Sequence, residues 1–131
     1  MSRGQALVEL ALCAPVVILL TLGVAAGVQA VDARSGLEAA TQAAAAEAAR
    51  APDRSSAETE AQARFASIIA AYPLSSARLS LSLGSFSRTG EVLATSSGTV
   101  EVGWAAVVFP KTLILESRCT VPIETWRSHR P

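Results

Sequence analysis

Few residues in this chain could carry chemistry, and the most telling pair stands at its beginning: Gly4 and, five positions on, Glu9. Glu9 is an acid at the mouth of a long uncharged stretch, residues 10–28. A carboxylate in a bilayer costs about 2.5–3.5 kcal/mol at the helix centre and less at the border, so it is kept for a function or rests cheaply among headgroups. Gly4 lacks a Cβ, so the backbone there can take an extended form that another surface can approach closely. Elsewhere the inventory is thin. The sole histidine, His129, stands near the end, and the two cysteines, Cys13 and Cys119, are far apart. Neither a metal cage nor a disulfide framework can be drawn from them. Ser75, Ser76, Ser80, Ser82, Ser85 and Ser87 read as the wet face of a strand, since no base and orienter accompany them. No phosphate-binding loop and no paired carboxylates are present, so the expectation is no enzyme and no cofactor. Eleven Lys+Arg against eleven Asp+Glu give zero net charge, without the basic excess of a nucleic-acid binder.

The elements that must position Gly4 and Glu9 begin with the apolar run itself. Nineteen residues, 10–28, span about 28 Å as a helix, close to the ~30 Å hydrocarbon core of a bilayer. Gln29, Ala30 and Val31 extend the run before Asp32 ends it, so a transmembrane helix is expected over residues 5–31. Arg3 and the starting amine precede it, whereas Asp32 and Arg34 cancel beyond it, which predicts a cytoplasmic N-terminus and an exported remainder. A cleaved secretory signal is the rival reading, because Val28-Gln29-Ala30 loosely fits a small-x-small site. Against it stand the length of the run, the acid at its border and the single basic residue before it. Within the run, Pro15 removes one helical hydrogen bond and is a candidate kink. Gly23 and Gly27 form a GxxxG that would allow close helix packing, and Cys13 reads as a small apolar filler.

The stretch Arg3-Gly4-Gln5-Ala6-Leu7-Val8-Glu9-Leu10-Ala11-Leu12, followed by Pro15 and Gly23, resembles the TadE-like pseudopilins, minor subunits of the tight-adherence (Tad/Flp) type IV pilus system. Leu37-Glu38-Ala39-Ala40 and Glu47-Ala48-Ala49-Arg50 are similar to the Ala-rich stalk of that family. The resemblance covers about the first fifty residues. It implies cleavage by a prepilin peptidase between Gly4 and Gln5, recognition or assembly through Glu9, and a bend at Pro15 used in leaving the membrane. The partners it implies are the peptidase, other pilin-like subunits, an inner-membrane assembly platform and membrane lipid.

Residues 32–50 read as an Ala-rich helix with Gly36 its only weak point. Leu37, Ala40, Ala44 and Ala48 make a narrow stripe, too thin to hold a core alone, and Arg34 and Glu38 form an i,i+4 pair on the opposite surface. Pro52-Asp53-Arg54 breaks the helix, and Ser55 with Glu58 fits a capping box. A second, amphipathic helix follows, with Ala61, Phe65, Ile68, Ile69 and Tyr72 on one face and Pro73 as its stop. It is expected to lie on a sheet.

From Arg78 the period becomes two, with Leu79, Leu81 and Leu83 alternating with polar residues. A turn is expected at residues 87–90. A second strand is expected at residues 99–109, with Val100, Val102 and Trp104 on one face, and a third at 113–123. In the third, Leu113, Leu115, Ser117, Cys119, Val121 and Ile123 face inward, Glu116 and Arg118 outward. The sequence therefore predicts an α+β chain: a long N-terminal transmembrane and stalk helix, a second amphipathic helix, and a small antiparallel sheet of about three to four strands, pilin-like in plan. Its expected parts are a leader (1–4), a membrane helix (5–31), a stalk (32–51) and an exported head (52–131). The expected function is a processed pilin-like subunit without enzymatic activity. The alternatives are an unprocessed, signal-anchored binding domain of the envelope and, from a third class, a secreted enzyme freed near Ala30.

Overall fold

The computed structural model describes residues 2–84, 90–105 and 112–123. The chain is α+β. Helix α1 (Arg3–Arg50) is followed by α2 (Arg54–Ile69) and by a three-stranded antiparallel sheet of β1 (Ser75–Ser82), β2 (Glu91–Glu101) and β3 (Thr112–Pro122), in that spatial order. The expected membrane span and stalk are one helix of 48 residues, about 72 Å long. Alanine and leucine carry the helix past Pro15 and Gly36, and Pro52 ends it by forcing Ala51 into an extended conformation.

Helix α2 starts two residues earlier than the sequence suggests. Its N-cap is Asp53, not Ser55: the carboxylate accepts from the Ser56 amide at 2.8 Å, the Ser55 hydroxyl at 2.8 Å and the Ser56 hydroxyl at 3.1 Å. Two carboxylate oxygens satisfy three donors, which a serine cap could not. These bonds, the Ser56 amide first, hold the Asp53 carboxyl below its ordinary pKa. The helix stops at Ile69, so Tyr72 leaves the predicted helical stripe. Its ring instead covers Gly36 of α1, where any Cβ would collide with it. The weak point of the Ala-rich helix is thus a seat for an aromatic ring.

Ala57, Ala61 and Phe65 of α2 are buried, and they pack chiefly on α1. The expectation of a helix lying on the sheet is corrected accordingly: α2 reaches only the rim of β1, where the Gln62 amide donates to the Leu79 carbonyl at 3.1 Å. The helix that covers the sheet is α1, along β2 and β3. Being flanked on two sides, α1 buries more than the predicted stripe. Leu37, Ala40, Ala44 and Ala48 are joined by Ala33, Gly36, Thr41, Ala45 and Ala49. The Arg34–Glu38 pair forms at 3.0 Å on the exposed surface.

Alternation places the strands as the physics of a one-sided sheet requires. On β1, Leu79 and Leu81 point inward, and Leu83 is buried just beyond it. On β3, the six predicted inward positions are half-buried, with Glu116 and Arg118 exposed. The second strand is displaced from its expected place: it runs from Glu91 to Glu101, not over residues 99–109. Val92, Ala94, Ser96, Gly98, Val100 and Val102 line its inner face. Beyond Val102 the chain enters a single 3-10 turn, Gly103–Ala105, so Trp104 is not a third member of the Val100–Val102 face but is 50% exposed. Residues 87–89 of the turn expected at 87–90, residues 106–109 of the expected strand, and the tail with Trp126 and His129 lie outside the described residues.

Two local devices fit the sheet to the helix. Gly98 sits beneath α1, where the Leu74 Cδ2 and Leu37 Cδ1 atoms would lie 3.1 and 3.7 Å from a Cβ at that position. Beside it, the buried hydroxyls of Thr41 and Ser96 bond across the layer, and Thr41 Oγ1 also donates to the Leu37 carbonyl at 2.6 Å. Ser96 must then be the donor of the inter-element bond, since the Thr41 proton is used. At the start of β1, Ser76 adopts a left-handed backbone (φ 52) within a register shift, and Ser75 and Thr99 exchange hydroxyl bonds that pin the irregularity.

The Thr41–Ser96 pair predicts unequal losses. Ser96→Ala leaves Thr41 bonded to Leu37 and should cost under about 1 kcal/mol, whereas Thr41→Val strands a buried serine hydroxyl and should cost about 1–3 kcal/mol. The double variant should recover most of that difference. Chemical denaturation of the detergent-solubilised chain, followed by far-UV circular dichroism, checks the order.

Asp53 predicts an acid dependence. Its folded pKa lies below the unfolded value of about 3.8, so its contribution is present above that value and fades as pH falls through the lowered one. Wild type should lose head stability in that range more steeply than Asp53→Asn, which caps without titrating. Thermal melts at successive acid pH values, compared between the two chains, measure it.

Candidate assembly segment

Gly4 and Glu9 both lie on the first turns of α1, outside the head. The segment from Ser2 to Cys13 is exposed throughout, and Leu7, Val8, Leu10 and Leu12 are 60–71% exposed. Space beside Gly4 is open: only the Ser2 hydroxyl oxygen comes within 4.0 Å of a Cβ built there. Glu9 is exposed among these apolar side chains and has no ion-pair partner among the described residues. An acid surrounded by leucine, valine and alanine is comfortable only where a headgroup or a cationic partner meets it.

The other predicted residues follow along the same helix. Pro15 is exposed within α1, and its ring removes the amide that would bond to the Ala11 carbonyl. Gly27 has nothing within 4 Å of a built Cβ, so its side of the helix is open to a neighbour or to lipid. Gly23 is partly covered. The most apolar 18-residue window of α1 has a mean hydropathy of 2.4 and is 0% buried within the chain. A soluble core helix would be covered; this one presents its apolar surface outward over more than four turns. It fits a single-pass membrane anchor.

Sites of other chemistry are poor. No group of three or more His, Cys, Asp or Glu that could hold a metal occurs among the described residues. An open groove of about 650 Å³ runs between α2 and β1, walled by Phe65, Ile69, Leu74 and Leu79, and Arg78 is the only titratable side chain on its described wall. It offers no acid–base pair. Cys119 is half-buried on the inner side of β3, and Cys13 is exposed on the apolar N-terminal half of α1; both are free thiols.

Residues 4–50 match the family model described as TadE-like protein. The match starts at Gly4 and ends with α1, so it covers the helix and neither α2 nor the sheet. It agrees with the resemblance drawn from the N-terminal motif. No curated protein and no solved structure matches the chain. The signal that sequence reasoning missed lies in the second half of the same helix, where Gly36, Thr41 and Ala45 are interior residues of the head. Their spacing from Leu37 and Ala40 describes a second buried face that a single-stripe reading does not contain.

Proposed function

We propose that this chain is a minor pilin-like subunit of a Tad-type pilus, cut by a prepilin peptidase between Gly4 and Gln5 and joined to its partners through α1. The observation that carries the reading is the exposed apolar N-terminal half of α1, with Glu9 placed five residues after Gly4, inside the segment matched by the TadE-like family model. The role is structural. The N-terminus lies in the cytoplasm and the head outside, in accord with Arg3 preceding the span.

The chemistry of Glu9 follows from that cut. Cleavage leaves an amine on Gln5, four residues before Glu9 and about 6 Å away along the helix axis. Each processed subunit then holds one positive and one negative group at nearly the same depth. When such a helix enters a bundle of like helices, the acid of one meets the amine of the next. Pairing removes the desolvation penalty that each charge would otherwise bear alone. Glu9 therefore acts in joining partners more than in being cut.

Two variants separate processing from assembly. Gly4→Val places a branched side chain at the cleavage position and should leave the precursor uncut, whereas Glu9→Ala should be trimmed to Gln5 yet no longer co-purify with other pilin-like subunits or platform proteins. Glu9→Asp, one methylene shorter, should fall between wild type and Glu9→Ala. Mass spectrometry of the mature N-terminus, together with pull-downs from membranes, reads both outcomes. A normally trimmed Gly4→Val chain overturns the processing step; undiminished partner recovery with Glu9→Ala overturns the pairing.

A further inference from the structure

The head begins unexpectedly low on α1. Ala26, still inside the uncharged run of residues 10–28, is already 1% exposed, and it shares a small buried cluster with Ala33, Val100, Val102 and Ala105. The 3-10 turn Gly103–Ala105 contacts α1 at this end of the head. At the same level, the Gln29 side-chain amide lies 3.5 Å from the Glu101 carbonyl. On the other side of the helix Val24, Val28 and Val31 remain 64–67% exposed. Apolar helix surface and folded head thus overlap over residues 24–31.

Depth can be assigned from the helix itself. The run is centred on Leu19, so a ~30 Å hydrocarbon layer ends about ten residues on, near Gln29. Ala26 then sits about 4 Å inside that boundary, and the turn packed at its level lies where hydrocarbon gives way to headgroups. Trp104, 50% exposed, is carried by this turn. An indole is the side chain that favours such a layer, since its ring is apolar and its N–H finds partners there. In water the same exposed ring would have no compensating contact.

We propose that the head rests directly on the bilayer, with Trp104 seated in the phospholipid headgroup layer as an interfacial anchor. The inference rests on α1 spanning the membrane; the occupant it assigns to this end of the head is lipid. Val24, Val28 and Val31, exposed on the opposite side of α1 at the same level as the turn, favour lipid over water at this depth, because an apolar surface of that kind needs a cover.

The test uses the full chain with Trp126→Phe, which leaves Trp104 as the only tryptophan of the two. It is reconstituted in phosphatidylcholine vesicles, plain or brominated near the carbonyl end of the acyl chains. Resistance to alkaline extraction is measured first; release of the chain overturns the spanning reading and this proposal with it. For the retained chain, the expected result is blue-shifted emission, a marked loss of emission in brominated vesicles, and weak quenching by aqueous acrylamide. Strong acrylamide quenching without a bromine effect would mean that the head stands clear of the lipid. Protection from both quenchers would mean that protein covers the ring. Either overturns the proposal and leaves the spanning helix intact. The complementary Trp104→Phe chain, with Trp126 retained, should lose the bromine-dependent component assigned to Trp104, and its persistence unchanged would also refute the assignment.

Discussion

A three-stranded sheet with one apolar face cannot stand in water, and everything else in this molecule follows from what covers that face. The cover is the second half of α1, not the helix that precedes the sheet in sequence. Because α1 also carries the apolar N-terminal run, one uninterrupted element serves two solvents. Its first half exposes leucine and valine, which suits an apolar medium, and its second half buries small residues against α2 and the sheet. The change from Leu and Val to Ala along the helix is the physical expression of that division. Lipid tolerates bulky side chains anywhere around a helix, whereas close layers need small ones.

Small residues demand something in return. A core built from alanine gains little area per residue, and at about 25 cal/mol per Å² each contributes less than a leucine would. The chain offsets this by bringing backbones near. Gly36 accepts the Tyr72 ring, Gly98 lets Leu37 and Leu74 settle on β2, and the Thr41–Ser96 hydroxyl pair fixes the sliding position that alanines alone would leave loosely specified. Polar partners inside such a core set register more than strength.

Much of this was legible in the sequence because it depends on period. The uncharged run, the i,i+4 ion pair, the helix stop before Pro52 and the alternation in β1 and β3 are local patterns, and the structure holds each of them. Non-local features were hidden. Thr95-Ser96-Ser97-Gly98, with the composition of turns, falls outside every expected strand, yet it is the middle of the central strand. There the face is set by α1 pressing on Ser96 and Gly98 rather than by hydrophobicity. Trp104 was drawn onto that face by alternation carried two residues too far, past the turn at Gly103. Tyr72 matched a helical spacing although the helix had already ended. Asp53 outcompeted Ser55 as cap through a second oxygen that a motif pattern does not weigh. The chemistry proposed at Gly4 and Glu9 rests on residue type and spacing against an apolar run, with no tertiary contact involved.

The continuity of α1 makes the chain a lever. From Leu19, midway through the apolar run, to Ala51 the helix extends about 48 Å. A span tilted by about 20°, an ordinary value for a bilayer helix, would carry the far end of the head some 16 Å sideways, with no hinge to absorb the swing. Whatever fixes that tilt, neighbouring helices or interfacial side chains, thereby sets where the head can meet a neighbour.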